Sequence, residues 1–136
     1  ELFQLEITET TENAESLSYI NSLKQAGFTL LMDDFGSGYS SLCMLKNTPF
    51  DVLKMDRQFL DECLDSQQGE TIISHVISMS NDLGLSIIAE GVENRGTADF
   101  LYDNGCSVSQ GFYFSKPVSI PEFEHMLDEQ QTEQQR

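Results

Sequence analysis

The sequence predicts an α/β fold on a parallel sheet, built from about five strand–helix units taken in order. Three observations predict it. Short β-like apolar runs alternate with helical patterns along the chain. Glycines fall where several of those helices must stop. Nearly every strand candidate ends on an ionisable or amide side chain, and in parallel folds the carboxyl ends of the strands share one rim.

Phe3 to Ile7 is the first β-like run. Leu17, Ile20 and Leu23 recur at helical spacing, and Gly27 follows as a stop. Phe28 to Met32 is the second strand. A Gly/Ser-rich turn, Gly36-Ser37-Gly38-Tyr39-Ser40-Ser41, leads to a short helix through Leu42 and Leu45 that Pro49 ends. Asp51 to Met55 is the third strand. Ile72, Ile73, Val76, Ile77, Ser80 and Leu83 mark an amphipathic helix closed by Gly84. Leu85 to Ala89 is the fourth strand, and Thr97 to Asn104 a short helix before Gly105. Cys106 to Ser109 is the fifth strand, with a continuation to Phe114 left open. Ser119 and Glu122 form a capping box that opens a last helix through Phe123, Met126 and Leu127. The polar, Gln-rich stretch from Asp128 to Arg136 is expected to fray. The expected division is therefore a domain over 1–127 and a tail over 128–136.

Both an open doubly wound sheet and part of a (β/α)8 barrel fit this rhythm. A full barrel takes about 250 residues, and this chain has 136. The first residues already read as a strand, with no Met or lead-in, so the expectation is an excised part of a longer domain. No stretch is long and apolar enough to span a bilayer, and no signal peptide is evident. With 39% hydrophobic residues the chain can fill a core. Its net charge of −16, from 23 acidic and 7 basic residues, excludes a general basic surface for a nucleic-acid polymer. An anionic ligand would need a local reversal of sign, most simply a bound divalent cation. Much of the acid is a solvated surface. The three cysteines, Cys43, Cys63 and Cys106, are odd in number and lack metal-ligand spacing, which fits a reducing, cytoplasmic setting without membrane contact by this segment.

The strand ends deliver Glu6, then Asp33 and Asp34, then Lys54 and Asp56, then Glu90 with Glu93 beyond, then Gln110. Converging carboxylates repel unless a cation neutralises them or some take up protons. An all-oxygen set favours Mg²⁺, Mn²⁺ or Ca²⁺ over zinc. Adjacent aspartates suit two ions about 3.5–4 Å apart, an arrangement used in phosphoryl displacement. Lys54 could stabilise phosphate charge or orient a water. Any one strand-end acid is more often a helix cap or an ion-pair partner, so the set carries the signal. Asp34-Phe35-Gly36 copies the kinase metal-binding triplet, but no glycine-rich loop or His-Arg-Asp segment precedes it. Gly36-Ser37-Gly38 lacks the third glycine and later acid of a dinucleotide fingerprint.

Five blocks together resemble the EAL domain family, in its order and spacing. They are Leu5-Glu6-Ile7-Thr8-Glu9, Asp33-Asp34-Phe35-Gly36-Ser37-Gly38-Tyr39-Ser40-Ser41-Leu42, Leu53-Lys54-Met55-Asp56, Ala89-Glu90-Gly91-Val92-Glu93 and Gln110-Gly111-Phe112-Tyr113-Phe114-Ser115-Lys116-Pro117. The resemblance runs from Glu1 to about Leu127. It implies the last five or so units of a (β/α)8 (TIM) barrel that hydrolyses cyclic di-GMP to linear pGpG with Mg²⁺ or Mn²⁺. It casts Glu6 and Asp33 as ligands of one metal, with Asp33 bridging to a second ion also held by Asp34 and Glu90. It casts Lys54 as the residue that positions the attacking water, and Glu90 and Lys54 as the catalytic pair. Asp56, Glu93 and Gln110 match positions that face substrate or steady the ligands. Glu9 matches an anchor for the loop from Phe35 to Leu42, which in the family is a lid and a dimer contact. The family's Glu-Ala-Leu segment and a metal-binding asparagine lie upstream of Glu1. The isolated chain is therefore expected to be weakly active or inactive, and to self-associate. The other reading is a degenerate domain that serves as a cyclic di-GMP receptor or a protein-interaction module.

Overall fold

The computed structural model describes residues 3–8, 14–37 and 41–134. Within them a five-stranded parallel sheet runs in the order of the chain: β1 (Gln4–Ile7), β2 (Thr29–Phe35), β3 (Val52–Met55), β4 (Ser86–Ala89) and β5 (Val108–Ser109). An open doubly wound sheet reverses its strand order part-way. The strictly sequential order seen here is that of an arc of a (β/α)8 barrel. Helices α1 (Ala14–Gln25), α2 (Ser41–Asn47), α3 (Arg57–Cys63), α4 (Gln67–Asp82), α5 (Arg95–Asp103) and α6 (Ile120–Gln134) complete the described chain.

The two faces of the sheet differ. Leu30, Met32, Leu53, Met55, Ile87 and Ala89 point to one side and join Ile20, Ile73, Ile77 and Leu101 from the helices in a single buried cluster. Each fully buried aliphatic side chain there stabilises the fold by about 1.5–3 kcal/mol. The other face carries Glu6, Leu31 and Val52 in register across β1, β2 and β3, with Lys54 two residues beyond Val52 on the same face. Side chains alternate along a strand, so this second face holds the polar residues while the first anchors them.

Three elements depart from the sequence expectation. A separate helix, α3, lies between β3 and the long α4. Asp56 caps it by accepting from Gln58 N at 2.8 Å, and Leu60 is its buried residue. The fifth strand ends at Ser109 as expected but starts only at Val108, and it does not continue to Phe114: past it, Gly111 packs so close to Val92 that a Cβ would fall 2.1 Å from the Val92 carbonyl oxygen. α6 begins at the expected capping box, with Glu122 accepting from both the backbone and hydroxyl of Ser119, and its helix runs past Leu127 to Gln134. In α2 the residue buried in the core is Met44, while Leu42 stands exposed.

Candidate active site

The ends of four strands meet around one ammonium. β2 carries one extra residue against β3, advancing from Met32 to Phe35 while β3 advances from Leu53 to Met55. Asp34 takes up this bulge with φ 56°, in the left-handed region that Asn and Asp tolerate best. The extra residue returns Phe35 to the core face, 4% exposed, and leaves two adjacent acids at the rim. Backbone bonds from Asp56 N to Phe35 O, from Glu90 N to Met55 O, and from Gln110 N to Ala89 O, of 3.2, 3.1 and 2.8 Å, stitch the strand ends together.

Lys54 is the hub. Its Nζ donates to Glu6 Oε1 at 2.8 Å and to Asp33 Oδ1 at 2.7 Å, and lies 2.9 Å from Glu90 Oε1. Gln110 Nε2 donates to the same Glu90 oxygen at 2.8 Å. Burial alone would disfavour the ammonium, but its hydrogen bonds to Asp33, Glu6 and Glu90 outweigh that and hold the Lys54 pKa above the ordinary lysine value. Lys54 is therefore a fixed cation and a hydrogen-bond donor at neutral pH, and not a base. Asp34 is pushed the other way: burial, then repulsion by Asp33 and Asp56, raises its pKa against the pull of Lys54.

Among the described residues, no group of three or more His, Cys, Asp or Glu side chains is set in metal-binding geometry. The acid oxygens face Lys54 instead. The donor chemistry still fits a hard divalent cation. Four carboxylates, Glu6, Asp33, Asp34 and Glu90, share a site with a single ammonium, so negative charge is in excess and every donor is oxygen. Beside the cluster opens a cavity of about 530 Å³. Phe112, Val118, Phe123 and Met126 make its walls apolar, while Arg57, Glu93 and Lys116 supply charge.

A family model, the EAL domain, matches residues 1–117. The chain belongs to the EAL domain family. Among curated EAL relatives, the cyclic di-GMP phosphodiesterase NbdA of Pseudomonas aeruginosa is 38% identical over 125 residues, 88% of this chain and 16% of that protein. Among solved structures, the EAL domain of Mycobacterium smegmatis DcpA is 38% identical with a TM-score of 0.81, over 92% of this chain and 57% of that one. BlrP1 of Klebsiella pneumoniae, solved as a manganese and cyclic di-GMP complex, is 34% identical with a TM-score of 0.75, over 83% of this chain and 30% of that one. The chain spans about a sixth to a third of the length of the curated relatives it matches.

Against the EAL blocks of the sequence, the structure brings Glu6, Asp33, Lys54, Glu90 and Gln110 into one hydrogen-bonded cluster, with Asp34 within electrostatic reach. Asp56 serves as the N-cap of α3, although its charge is still felt at Asp34. Glu93 turns to Arg57, whose Nη1 lies 2.7 Å from Glu93 Oε1. Glu9 lies outside the described residues. The residue that sequence reasoning missed is Arg57. Its signal was available: a basic residue directly after a capping Asp, four before Asp61.

Proposed function

We propose that the domain containing this chain hydrolyses cyclic di-GMP to linear pGpG with Mg²⁺ or Mn²⁺, in the cytoplasm. One observation carries the reading: in an EAL chain, carboxylates from β1, β2 and the end of β4 converge on the β3 lysine with negative charge to spare. Glu6, Asp33, Asp34 and Glu90 are the residues that would hold metal. When bound, the ions would polarise a phosphate and sharpen a water into a nucleophile. Lys54, kept charged by its neighbours, holds a water or a phosphate oxygen by donation. Gln110 fixes the Glu90 carboxylate by donating to Oε1, which leaves the other oxygen for the reaction. The adjoining cavity offers apolar walls for a flat base and cationic groups for its phosphates.

Among the described residues the five strands form an open arc in which β1 and β5 each have one neighbour. We therefore assign activity to the closed barrel and weak or no activity to this stretch by itself. Self-association belongs to the same reading, supported by an apolar hollow of about 440 Å³ where Leu42 faces Ile72, Val76 and Met79. Among the described residues no helix is long and apolar enough to cross a membrane.

The test is chromatography of cyclic di-GMP incubated with the whole protein, with Mn²⁺ or with chelator. The reading expects pGpG only with metal, and none from Glu90→Gln. Saturable binding of cyclic di-GMP without product under either metal would instead establish the receptor reading.

A further inference from the structure

Helix α3 touches both loops that carry rim acids. Gly36, just past Asp34, has φ 99°, and a Cβ there would meet Phe59 Cγ at 2.4 Å. The Phe59 ring thus lies directly against the backbone of this loop, and it also packs edge-on to Phe35, with centroids 5.9 Å apart. Gly91, just past Glu90, has φ 69°, and a Cβ there would meet Arg57 Cγ at 2.4 Å. The Arg57 stem therefore runs across the backbone of the second loop, and its guanidinium reaches Glu93 at 2.7 Å and Asp61 at 3.3 Å. The far end of α3 is seated as firmly: Gly69 of α4 lies so close to Cys63 that a Cβ would fall 1.8 Å from the Cys63 carbonyl oxygen. One short helix is thus fixed at its base by α4, capped at its start by Asp56, and in contact with both loops.

We propose that Arg57 and Phe59 are positioning residues that hold the two acid-bearing rim loops in register, Phe59 through Gly36 and Arg57 through Gly91 and Glu93. The kinetic part of this proposal rests on the phosphodiesterase reading; the structural part does not. The Arg57–Glu93 pair is half exposed on both sides, so its contribution to global stability is small. Its effect is to choose one orientation for Glu93 and one path for residues 90–93. Phe59 is packed more deeply, so its truncation loosens the segment around Gly36 as well as removing contacts.

Two readouts test this together. Backbone hydrogen exchange is measured on this chain for wild type, Arg57→Ala, Arg57→Lys, Phe59→Ala and Phe59→Leu. Cyclic di-GMP hydrolysis with Mn²⁺ is measured on the whole protein for the same set, with Glu93→Ala and the Arg57→Ala/Glu93→Ala double variant. Arg95→Ala, which breaks the exposed Arg95–Asp99 pair on α5, is the control and leaves both readouts unchanged. Arg57→Ala is expected to speed exchange at residues 90–93 about tenfold while the β3 amides stay protected. Phe59→Ala is expected to do the same at residues 34–37, with Phe59→Leu restoring most of the protection. Arg57→Ala should lower kcat about tenfold with KM within about twofold, as expected for a misplaced group rather than a lost substrate contact. The double variant should lose less than the sum of the two single losses, because Arg57 acts in part through Glu93. Unchanged exchange in both alanine variants, or losses in the double variant that add in full, would overturn the proposal. If wild type shows no hydrolysis while exchange changes as described, the activity reading fails and the positioning role stands.

Discussion

Replacing Lys54 by Met removes the cation on which Glu6, Asp33 and Glu90 converge and keeps most of its volume. The Lys54 residue is 9% exposed, and its Nζ holds three carboxylate oxygens between 2.7 and 2.9 Å. Glu6 is 51% exposed, so its share is screened by water and counts for little. Asp33 and Glu90, 17% and 19% exposed, are the partners left stranded. Breaking a buried ion pair from one side costs about 3–5 kcal/mol; with Glu6 discounted and the Met filling space, about 3 kcal/mol is expected. For a domain of this size that lowers Tm by roughly 10 °C. The folded-state pKa of Lys54 is raised, so its contribution is complete below the ordinary lysine value and is lost only as pH rises through the higher folded one. The deficit should therefore be flat across neutral pH. Melting curves of both proteins at pH 7 and low salt, with and without Mn²⁺, check this. Mn²⁺ should narrow the gap by supplying the missing charge. A Lys54→Met protein that melts within about 2 °C of wild type without metal would refute the reasoning.

Asp34→Asn keeps a residue that tolerates φ 56° and removes a carboxylate whose pKa is raised by burial and by Asp33. An acid with a raised folded pKa costs stability that grows as pH rises from the ordinary aspartate value and is complete above the folded one, so the metal-free variant should melt higher at pH 7 and match wild type below the ordinary aspartate range; it should also bind Mn²⁺ more weakly. Asp51 accepts from Leu30 N at 2.8 Å and pairs with Lys24, which together outweigh burial and lower its pKa. Its contribution is present above the ordinary aspartate value and fades as pH falls through the lowered one, so Asp51→Asn should cost about 1 kcal/mol at pH 7 by denaturant titration and nothing in strong acid. Gly69→Ala forces a methyl against the Cys63 carbonyl and should cost about 2–3 kcal/mol by the same measurement.

Much of the fold was legible because apolar spacing and strand-end polarity agree along the chain. Ile73 and Ile77 fall on one helical face, and both are fully buried. Apolar spacing alone fits an open sheet and a barrel arc equally; the five EAL-like blocks pointed to the arc, and the sequential strand order bears that out. α3 was not legible because it is a single seven-residue helix, too short for apolar periodicity to show, even though Asp56 at its start has the side chain of a helix cap. The convergence of Glu6, Asp33, Lys54 and Glu90 was legible from position alone. The bulge at Asp34 was not, since an extra residue in a strand leaves no periodic trace until its pairing is known. Nor was the turn of Glu93 toward Arg57, which depends on the absence of a side chain at Gly91.

The claim that the rim acids form a divalent-cation site is tested most directly by calorimetric titration of Mn²⁺ into the whole protein and its Asp33→Asn variant. Asp33 bonds Lys54 at 2.7 Å and stands at the centre of the cluster. The account predicts saturable Mn²⁺ binding by wild type that is largely lost in the variant, while Arg95→Ala binds as wild type does. Equal Mn²⁺ isotherms for wild type and Asp33→Asn would contradict it.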